Sequence, residues 1–179
     1  MRSTIDCVNG LPLREAGFHY YGSVFMNERF MSKAIELSIE NVARGGGPFA
    51  ALVVKHEEII ASGVNQVTAV NDPTAHAEIV AIREACQKLK SFQLDGCDIY
   101  TTCEPCPMCL GAIYWARPAR VFFANTREDA KEIGFDDEFI YEQVALPVRE
   151  RSIPFIPLLR EAALEAFRLW ERKTDKTLY

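Results

Sequence analysis

The 179-residue sequence is long enough for one domain with a hydrophobic core, and its 49% hydrophobic and 25% charged residues are typical of a globular protein. A net charge of −5 and a pI of about 5.3 argue against non-specific nucleic-acid binding, which needs a basic surface. Six cysteines are too few for a disulfide scaffold, and no segment resembles a membrane span or secretion signal, so we expect a cytoplasmic protein without a membrane partner.

The first part of the chain predicts one helix followed by a β-hairpin. Residues 1–24 contain several glycines and one proline and are expected to be loosely structured. Apolar residues at helical spacing predict a helix over Asn27–Arg44. Phe49–Lys55 then has the composition of a buried strand, and Ile59–Gly63 is its predicted hairpin partner across a polar turn.

The rest of the chain alternates between predicted helices and strands. A polar loop over Asn65–Asp72 leads to a helix from His76 to about Lys90, for which Thr74 is a plausible N-cap. The later predicted elements are a strand at Cys97–Thr102, a helix at Met108–Ala116, a strand at Arg120–Ala124, a helix at Glu128–Ile133, an extended segment at Ile153–Pro157 and a helix at Leu159–Lys173. The sequence of residues 138–147 is ambiguous between helix and strand. This alternation predicts a three-layer α/β/α sandwich with a site at one end of its sheet.

A Cys-x-x-Cys pair, Cys106 and Cys109, is the first candidate for a metal site. Zinc that takes part in catalysis has three protein ligands and one open position, so two thiolates require one further ligand. The chain offers three histidines for it, His19, His56 and His76. His19 lies in an aromatic cluster and His56 in a polar turn, and we expect packing and surface roles for these two.

His76 and Glu78 form a His-x-Glu motif about thirty residues before Pro105 and the cysteine pair. His-x-Glu followed by Pro-Cys-x-x-Cys is the signature of zinc-dependent nucleobase deaminases. We therefore expect His76, Cys106 and Cys109 to bind Zn²⁺, which makes hydroxide available near neutral pH. Residues two apart do not share a helix face, so Glu78 is expected to face the substrate and move protons instead of binding the metal.

Two other interpretations of the cysteine pair remain open. It could be a redox dithiol, or it could belong to a structural zinc site with Cys103 as fourth ligand. Cys103 also fits an ordinary buried residue at the end of a strand, and Cys7, Cys86 and Cys97 have no metal-like spacing. Glu78 discriminates between these interpretations, since a structural site does not require it.

Four segments carry a wider resemblance: Gly47-Pro48-Phe49, Gly63-Val64-Asn65, Asn71 to Glu78, and Thr102 to Arg117. In them the chain resembles the cytidine deaminase superfamily. The segment from Gly134 to Tyr141 and the tail with Trp170 and Tyr179 resemble the bacterial guanine deaminases in particular. The resemblance runs from about Phe30 to Tyr179, and Met26-Asn27-Glu28 resembles the start of related chains. We therefore predict an N-terminal extension over residues 1–25 and a deaminase domain over residues 26–179.

The resemblance implies a five-stranded mixed sheet between helices, with the three ligands named above on zinc. It also implies a homodimer that exchanges C-terminal segments, so that Tyr179 of one chain closes the pocket of the other. The implied contacts with a purine base are Phe49, Asn65, the backbone N–H of Ala77, Trp115, Asp137 and Tyr179. Alternatives are open: Phe49 and Trp115 could be core residues, Asp137 a helix cap and Tyr179 a frayed terminus.

The implied reaction is the hydrolytic deamination of guanine to xanthine and ammonia, with Glu78 as the proton shuttle. Glu142 is a candidate for a second proton relay, although a solvated surface role is the simpler interpretation. The alternatives are a deaminase of an amino-triazine, of cytosine or of transfer-RNA adenosine, and lastly a structural zinc module. The acidic charge and the expected Tyr179 lid argue against an RNA substrate.

Overall fold

The computed structural model describes the backbone of residues 13–178 and the side chains of residues 28–178. The predictions for Cys7, the His19 side chain and Tyr179 lie outside these residues. The elements are, in order, α1 (Leu13–Ala43), β1 (Ala50–Lys55), β2 (Glu58–Val64), α2 (Val67–Val70), α3 (Ala77–Leu89), β3 (Cys97–Cys103), α4 (Pro107–Ala116), β4 (Arg120–Asn125), α5 (Arg127–Glu132), α6 (Glu138–Ala145), a 3₁₀ turn (Val148–Glu150) and α7 (Arg160–Arg172). The chain forms two compact units, the first ending at Thr126 and the second beginning at Arg127.

The first unit contains a mixed sheet in the order β2-β1-β3-β4. β1 is antiparallel to both β2 and β3, whereas β4 runs parallel to β3. The β1–β2 hairpin turns at His56 and Glu57, whose φ angles are 47° and 64°. Positive φ at both central residues is the geometry of a type I′ turn, which matches the twist of the two strands. His56 is therefore an exposed turn residue, as predicted.

Helices cover both faces of this sheet, because successive strand residues point to opposite sides. On one face, Leu52 and Tyr100 pack against Phe30 and Ala34 of α1. On the other, α3 and α4 pack on the sheet through a cluster that includes Val53, Ala61, Ala77, Ala81, Ile99 and Ile113. The predicted α/β class and mixed sheet are confirmed.

The expectation of five strands is wrong for the residues that the structure describes, because their sheet has four. The predicted extended segment Ile153–Pro157 belongs to no strand. Pro154 and Pro157 within it lack the N–H groups that a central strand donates to its neighbours.

α1 is longer than predicted, since it begins at Leu13 instead of Asn27. Gly17 and Gly22 lie inside the helix and do not interrupt its backbone. A helical glycine costs about 1 kcal/mol relative to alanine, which a long helix tolerates. The helix also crosses the predicted boundary between residues 25 and 26.

α3 begins at Ala77 with His76 as its N-cap, so the prediction of Thr74 as N-cap is wrong. Thr74 instead forms a turn with Asp72, whose Oδ1 accepts hydrogen bonds from the Thr74 N–H at 2.8 Å and from its Oγ1 at 2.7 Å. This turn ends before the helix starts and leaves His76 at the helix entrance.

The second unit consists of α5, α6, the 3₁₀ turn and α7. None of the residues in these elements is buried in the described chain. Large apolar side chains are exposed throughout it, among them Phe135, Phe139, Ile156, Phe167 and Trp170. Across the described residues, no helix has the length and apolar character that crossing a membrane requires.

Candidate metal and catalytic site

Two helix entrances bring the predicted metal ligands together. His76 is the N-cap of α3 and Cys106 is the N-cap of α4, while Cys109 lies in the first turn of α4. Neither N-cap side chain makes a capping hydrogen bond to its helix. Pro107 is the first residue of α4, one position before the predicted start at Met108, and a missing N–H is tolerated there. The positive end of each helix dipole therefore points towards the ligands and favours thiolates.

The spacing of the three ligand atoms fits a single zinc ion. His76 Nδ1 lies 3.5 Å from Cys106 Sγ and 3.6 Å from Cys109 Sγ. Zinc–nitrogen and zinc–sulfur bonds of about 2.05 and 2.3 Å at tetrahedral angles separate the two ligand atoms by about 3.6 Å. Cys103 does not belong to the group of possible ligands found among the described residues. Its buried Sγ instead lies 3.4 Å from the carbonyl oxygen of Thr126.

The two thiols of the site influence each other's ionisation. The interaction with Cys109 lowers the pKa of Cys106, and the neighbouring His76 lowers it further. The interaction with Cys106 and burial raise the pKa of Cys109. Metal binding needs both thiols deprotonated, so it is coupled to the release of protons.

Glu78 lies beside the ligand group and is only 6% exposed. Thr101 Oγ1 donates a hydrogen bond to its Oε1 at 3.1 Å, and Cys109 Sγ donates to its Oε2 at 3.4 Å. Burial raises the pKa of the Glu78 carboxyl group. A buried carboxyl next to a three-ligand metal site is suited to moving protons to and from a bound water.

Gly63 in β2 allows α3 to approach the sheet closely. A Cβ atom on Gly63 would lie 2.2 Å from the carbonyl oxygen of Ala77 and 2.6 Å from the backbone nitrogen of Ala81. The position of the first turn of α3, which carries Glu78, therefore depends on the absence of a side chain at residue 63.

Asn41 holds two of the predicted substrate-binding segments together. Its Nδ2 donates to the carbonyl oxygens of Gly47 at 2.8 Å and Asn65 at 3.0 Å. The N–H of Asn65 donates to the carbonyl oxygen of Phe49, and the side chain of Phe49 packs against the core on the α3 face. Asn41 was not among the predicted site residues. Its position could have indicated it, because Asn41 is a polar residue seven positions after Ala34, on the buried face of α1.

Two other predicted substrate residues, Ala77 and Trp115, differ in their burial. Ala77 is fully buried as the first residue of α3. Trp115 is 63% exposed and is therefore not a core residue of the described chain. It follows Cys109 by six positions, which places the two about 120° apart around α4.

Asp137, Glu142 and Tyr179 have predicted roles that stay predictions. Asp137 is the N-cap of α6 and makes no side-chain capping bond, while Glu142 is exposed on the same helix. Both belong to the second unit. Tyr179 lies outside the described residues.

Comparison with known proteins gives the family of the chain. The profile of the cytidine and deoxycytidylate deaminase zinc-binding region matches residues 26–125. Guanine deaminase from Bacillus subtilis (strain 168) is 53% identical over 154 residues, which cover 86% of this chain and 99% of that protein.

The X-ray structure of guanine deaminase from Bacillus subtilis has a TM-score of 0.83 and 53% identity to this chain, covering 85% of it and 98% of that chain. A tRNA-specific adenosine deaminase from Aquifex aeolicus (strain VF5) is 41% identical over 97 residues, 54% of this chain and 64% of that protein. The chain thus belongs to the cytidine and deoxycytidylate deaminase family and is a zinc-dependent deaminase.

Proposed function

We propose that this chain catalyses the hydrolytic deamination of guanine to xanthine and ammonia. The observation that carries the chemistry is the group of His76, Cys106 and Cys109 with the buried Glu78 beside it. Three protein ligands leave one position of a tetrahedral zinc ion for water, which a closed four-ligand structural site does not. A redox dithiol would need neither the histidine nor the carboxylate.

The choice of guanine is supported by the extent of the similarity. The match to the guanine deaminase covers 154 residues, more than the 126 positions of the first unit, so it includes part of the second. The match to the tRNA-specific deaminase covers 97 residues. The net charge of −5 also favours a small base over a polynucleotide.

We propose that Glu78 carries out the proton transfers. When bound by His76, Cys106 and Cys109, zinc would lower the pKa of a water to about 7. Glu78 would take a proton from the attacking water as the water oxygen forms a bond to C2 of guanine, and it would give that proton to the adjacent ring nitrogen. It then delivers the second water proton to the C2 amino group, and the carbon–nitrogen bond breaks to release ammonia. Glu142 stays a candidate for relaying one of these protons.

We propose that the base is bound by the residues that the family resemblance implies. These are Phe49, Asn65, the backbone N–H of Ala77, Trp115, Asp137 and, from the other subunit, Tyr179. Asn65 is supported by its fixed backbone, which Asn41 and Phe49 hold through hydrogen bonds on both sides. The side-chain amide of an asparagine carried on such a backbone can donate to and accept from the edge of a purine.

The assembly that we propose is a cytoplasmic homodimer in which the two chains exchange their C-terminal segments. The support is the second unit itself, whose described helices bury no residue although they carry many large apolar side chains. Burying apolar surface stabilises by roughly 25 cal/mol per Å², so such a segment gains by covering a second copy of the chain. Thiolate ligands are consistent with the reducing cytoplasm.

The test is ammonia release by the zinc-loaded protein with guanine, adenine, cytosine, an amino-triazine and an adenosine-containing RNA stem-loop offered separately. Release from guanine, lost on deletion of Tyr179, is the expected result. Release from cytosine or RNA alone would keep the metal site but refute the substrate. Release from none would favour a structural zinc site. A dimer mass by light scattering is expected, and a monomer would refute the exchanged assembly.

A further inference from the structure

Thr101 is a buried hydroxyl residue that the proposed chemistry does not yet use. It is 1% exposed and lies in β3, where its backbone pairs with Ala51 of β1 and with Phe123 of β4. Its neighbours on both sides are strands, so the backbone of Thr101 is held from two directions. A β-branched side chain in such a strand has few χ1 rotamers, and the hydroxyl position is correspondingly fixed.

This hydroxyl is directed at the carboxylate of Glu78. Oγ1 of Thr101 lies 3.1 Å from Oε1 of Glu78, and both side chains are buried. An ionised carboxylate only accepts hydrogen bonds, so Thr101 is the donor. A second side-chain donor is Cys109, which lies 3.4 Å from Oε2. A thiolate bound to a metal has no proton to donate, so among the described residues Thr101 is the side chain that still donates to Glu78 when the site is filled.

We propose that Thr101 is a positioning residue that fixes the rotamer of Glu78 by holding Oε1, which leaves Oε2 to exchange protons with the water and the substrate. The proposal rests on the proposed function of Glu78. A glutamate side chain has three rotatable bonds, and a proton shuttle is effective only when it is held within hydrogen-bonding distance of its partners. The hydroxyl of Thr101 supplies that constraint from a rigid strand.

The adjacent residue provides a matched control. Thr102 is also a buried threonine of β3, but its side chain points to the opposite face of the sheet. Its Oγ1 accepts a hydrogen bond from the backbone N–H of Ala50 at 3.0 Å. Valine at either position keeps the shape of threonine and removes one buried hydrogen bond. Only the Thr101→Val change removes a hydrogen bond to Glu78.

The experiment compares zinc-loaded Thr101→Val, Thr101→Ser and Thr102→Val with the wild type. For Thr101→Val we expect kcat to fall about 10- to 100-fold with little change in KM, as expected for losing a hydrogen bond to a charged group. Zinc content should stay at the wild-type level. Thr101→Ser keeps the hydroxyl and should restore most of kcat, whereas Thr102→Val should lower the melting temperature and leave kcat close to that of the wild type.

A crystal structure of zinc-loaded Thr101→Val supplies a readout that does not depend on turnover. The proposal expects the Glu78 carboxylate to leave the position it occupies in the wild type. An unmoved carboxylate, an unchanged kcat, or equal losses of kcat in Thr101→Val and Thr102→Val would overturn it. If the wild type releases ammonia from none of the substrates, the proposed function fails, and the position of Glu78 in the two crystal structures still decides the role of Thr101.

Discussion

Replacing Gly63 by alanine should disturb the catalytic site by displacing the start of α3. The new Cβ would lie 2.2 Å from the carbonyl oxygen of Ala77 and 2.6 Å from the nitrogen of Ala81. Ordinary carbon–oxygen contacts begin at about 3.3 Å, so the start of α3 must move away from β2 by about 1 Å. Ala77 stands between His76 and Glu78, and both residues would move with it.

Two consequences of this displacement can be measured. Overpacking by one methyl group in a well-packed interior destabilises by roughly 1–3 kcal/mol, which should lower the urea midpoint of unfolding. A misplacement of about 1 Å in a catalytic group costs about 10²-fold in rate. We therefore expect Gly63→Ala to lose both stability and kcat, measured by urea unfolding and ammonia release on the zinc-loaded protein.

Gly111 provides the control, because it lies in α4 and a Cβ there would meet no atom of the described residues within 4 Å outside the adjacent backbone of its own helix. Alanine is favoured over glycine in a helix by about 1 kcal/mol, so Gly111→Ala should unfold at a higher urea concentration and keep its activity. If Gly63→Ala matched the wild type in urea midpoint and in kcat, the close approach of α3 to β2 would not set the position of Glu78.

Three further predictions concern single features of the site. Glu78→Gln should lower kcat by about 10²–10⁴-fold and keep zinc, as metal analysis would show; loss of zinc would make Glu78 a ligand. Removing zinc with a chelator should add one thiol, the partly exposed Cys106 with its lowered pKa, to those that react with a thiol reagent, and an unchanged count would exclude Cys106 as a ligand. Asn41→Ala should lower the free energy of unfolding in urea by roughly 1–3 kcal/mol and raise KM for guanine, because the carbonyl of Asn65 loses its side-chain donor. If both values were unchanged, Asn41 would not hold Asn65 in the position that binds the base.

The metal centre was largely predictable from the sequence because its signals are local. Cys106 and Cys109 are three residues apart, and Pro107 marks the start of their helix, which the structure places at Pro107–Ala116. The His-x-Glu spacing likewise distinguishes His76 from Glu78 before any fold is known. Such short-range patterns specify residue types and helix starts, and they depend little on how distant segments pack.

The contacts that support the site were not predictable, since they join distant parts of the chain. Thr101 and Glu78 are 23 residues apart, and Asn41 and Asn65 are 24 residues apart. No periodicity in the sequence predicts a hydrogen bond between two residues so far apart. The prediction of five strands was wrong for a related reason. An extended segment becomes a strand only when a neighbouring strand pairs with its backbone N–H and C=O groups.

The N-caps of α3 and α4 link the supply of metal to the lifetime of the protein. His76 and Cys106 occupy positions where serine, threonine, aspartate or asparagine would stabilise each helix by about 1 kcal/mol, and neither makes a capping bond. Zinc that binds the folded chain at a concentration 1,000 times its Kd adds about 4 kcal/mol of stability. In zinc-starved cells, newly made chains would therefore unfold more often and be removed by proteases. Zinc scarcity would then lower the total amount of enzyme as well as the fraction of it that carries zinc.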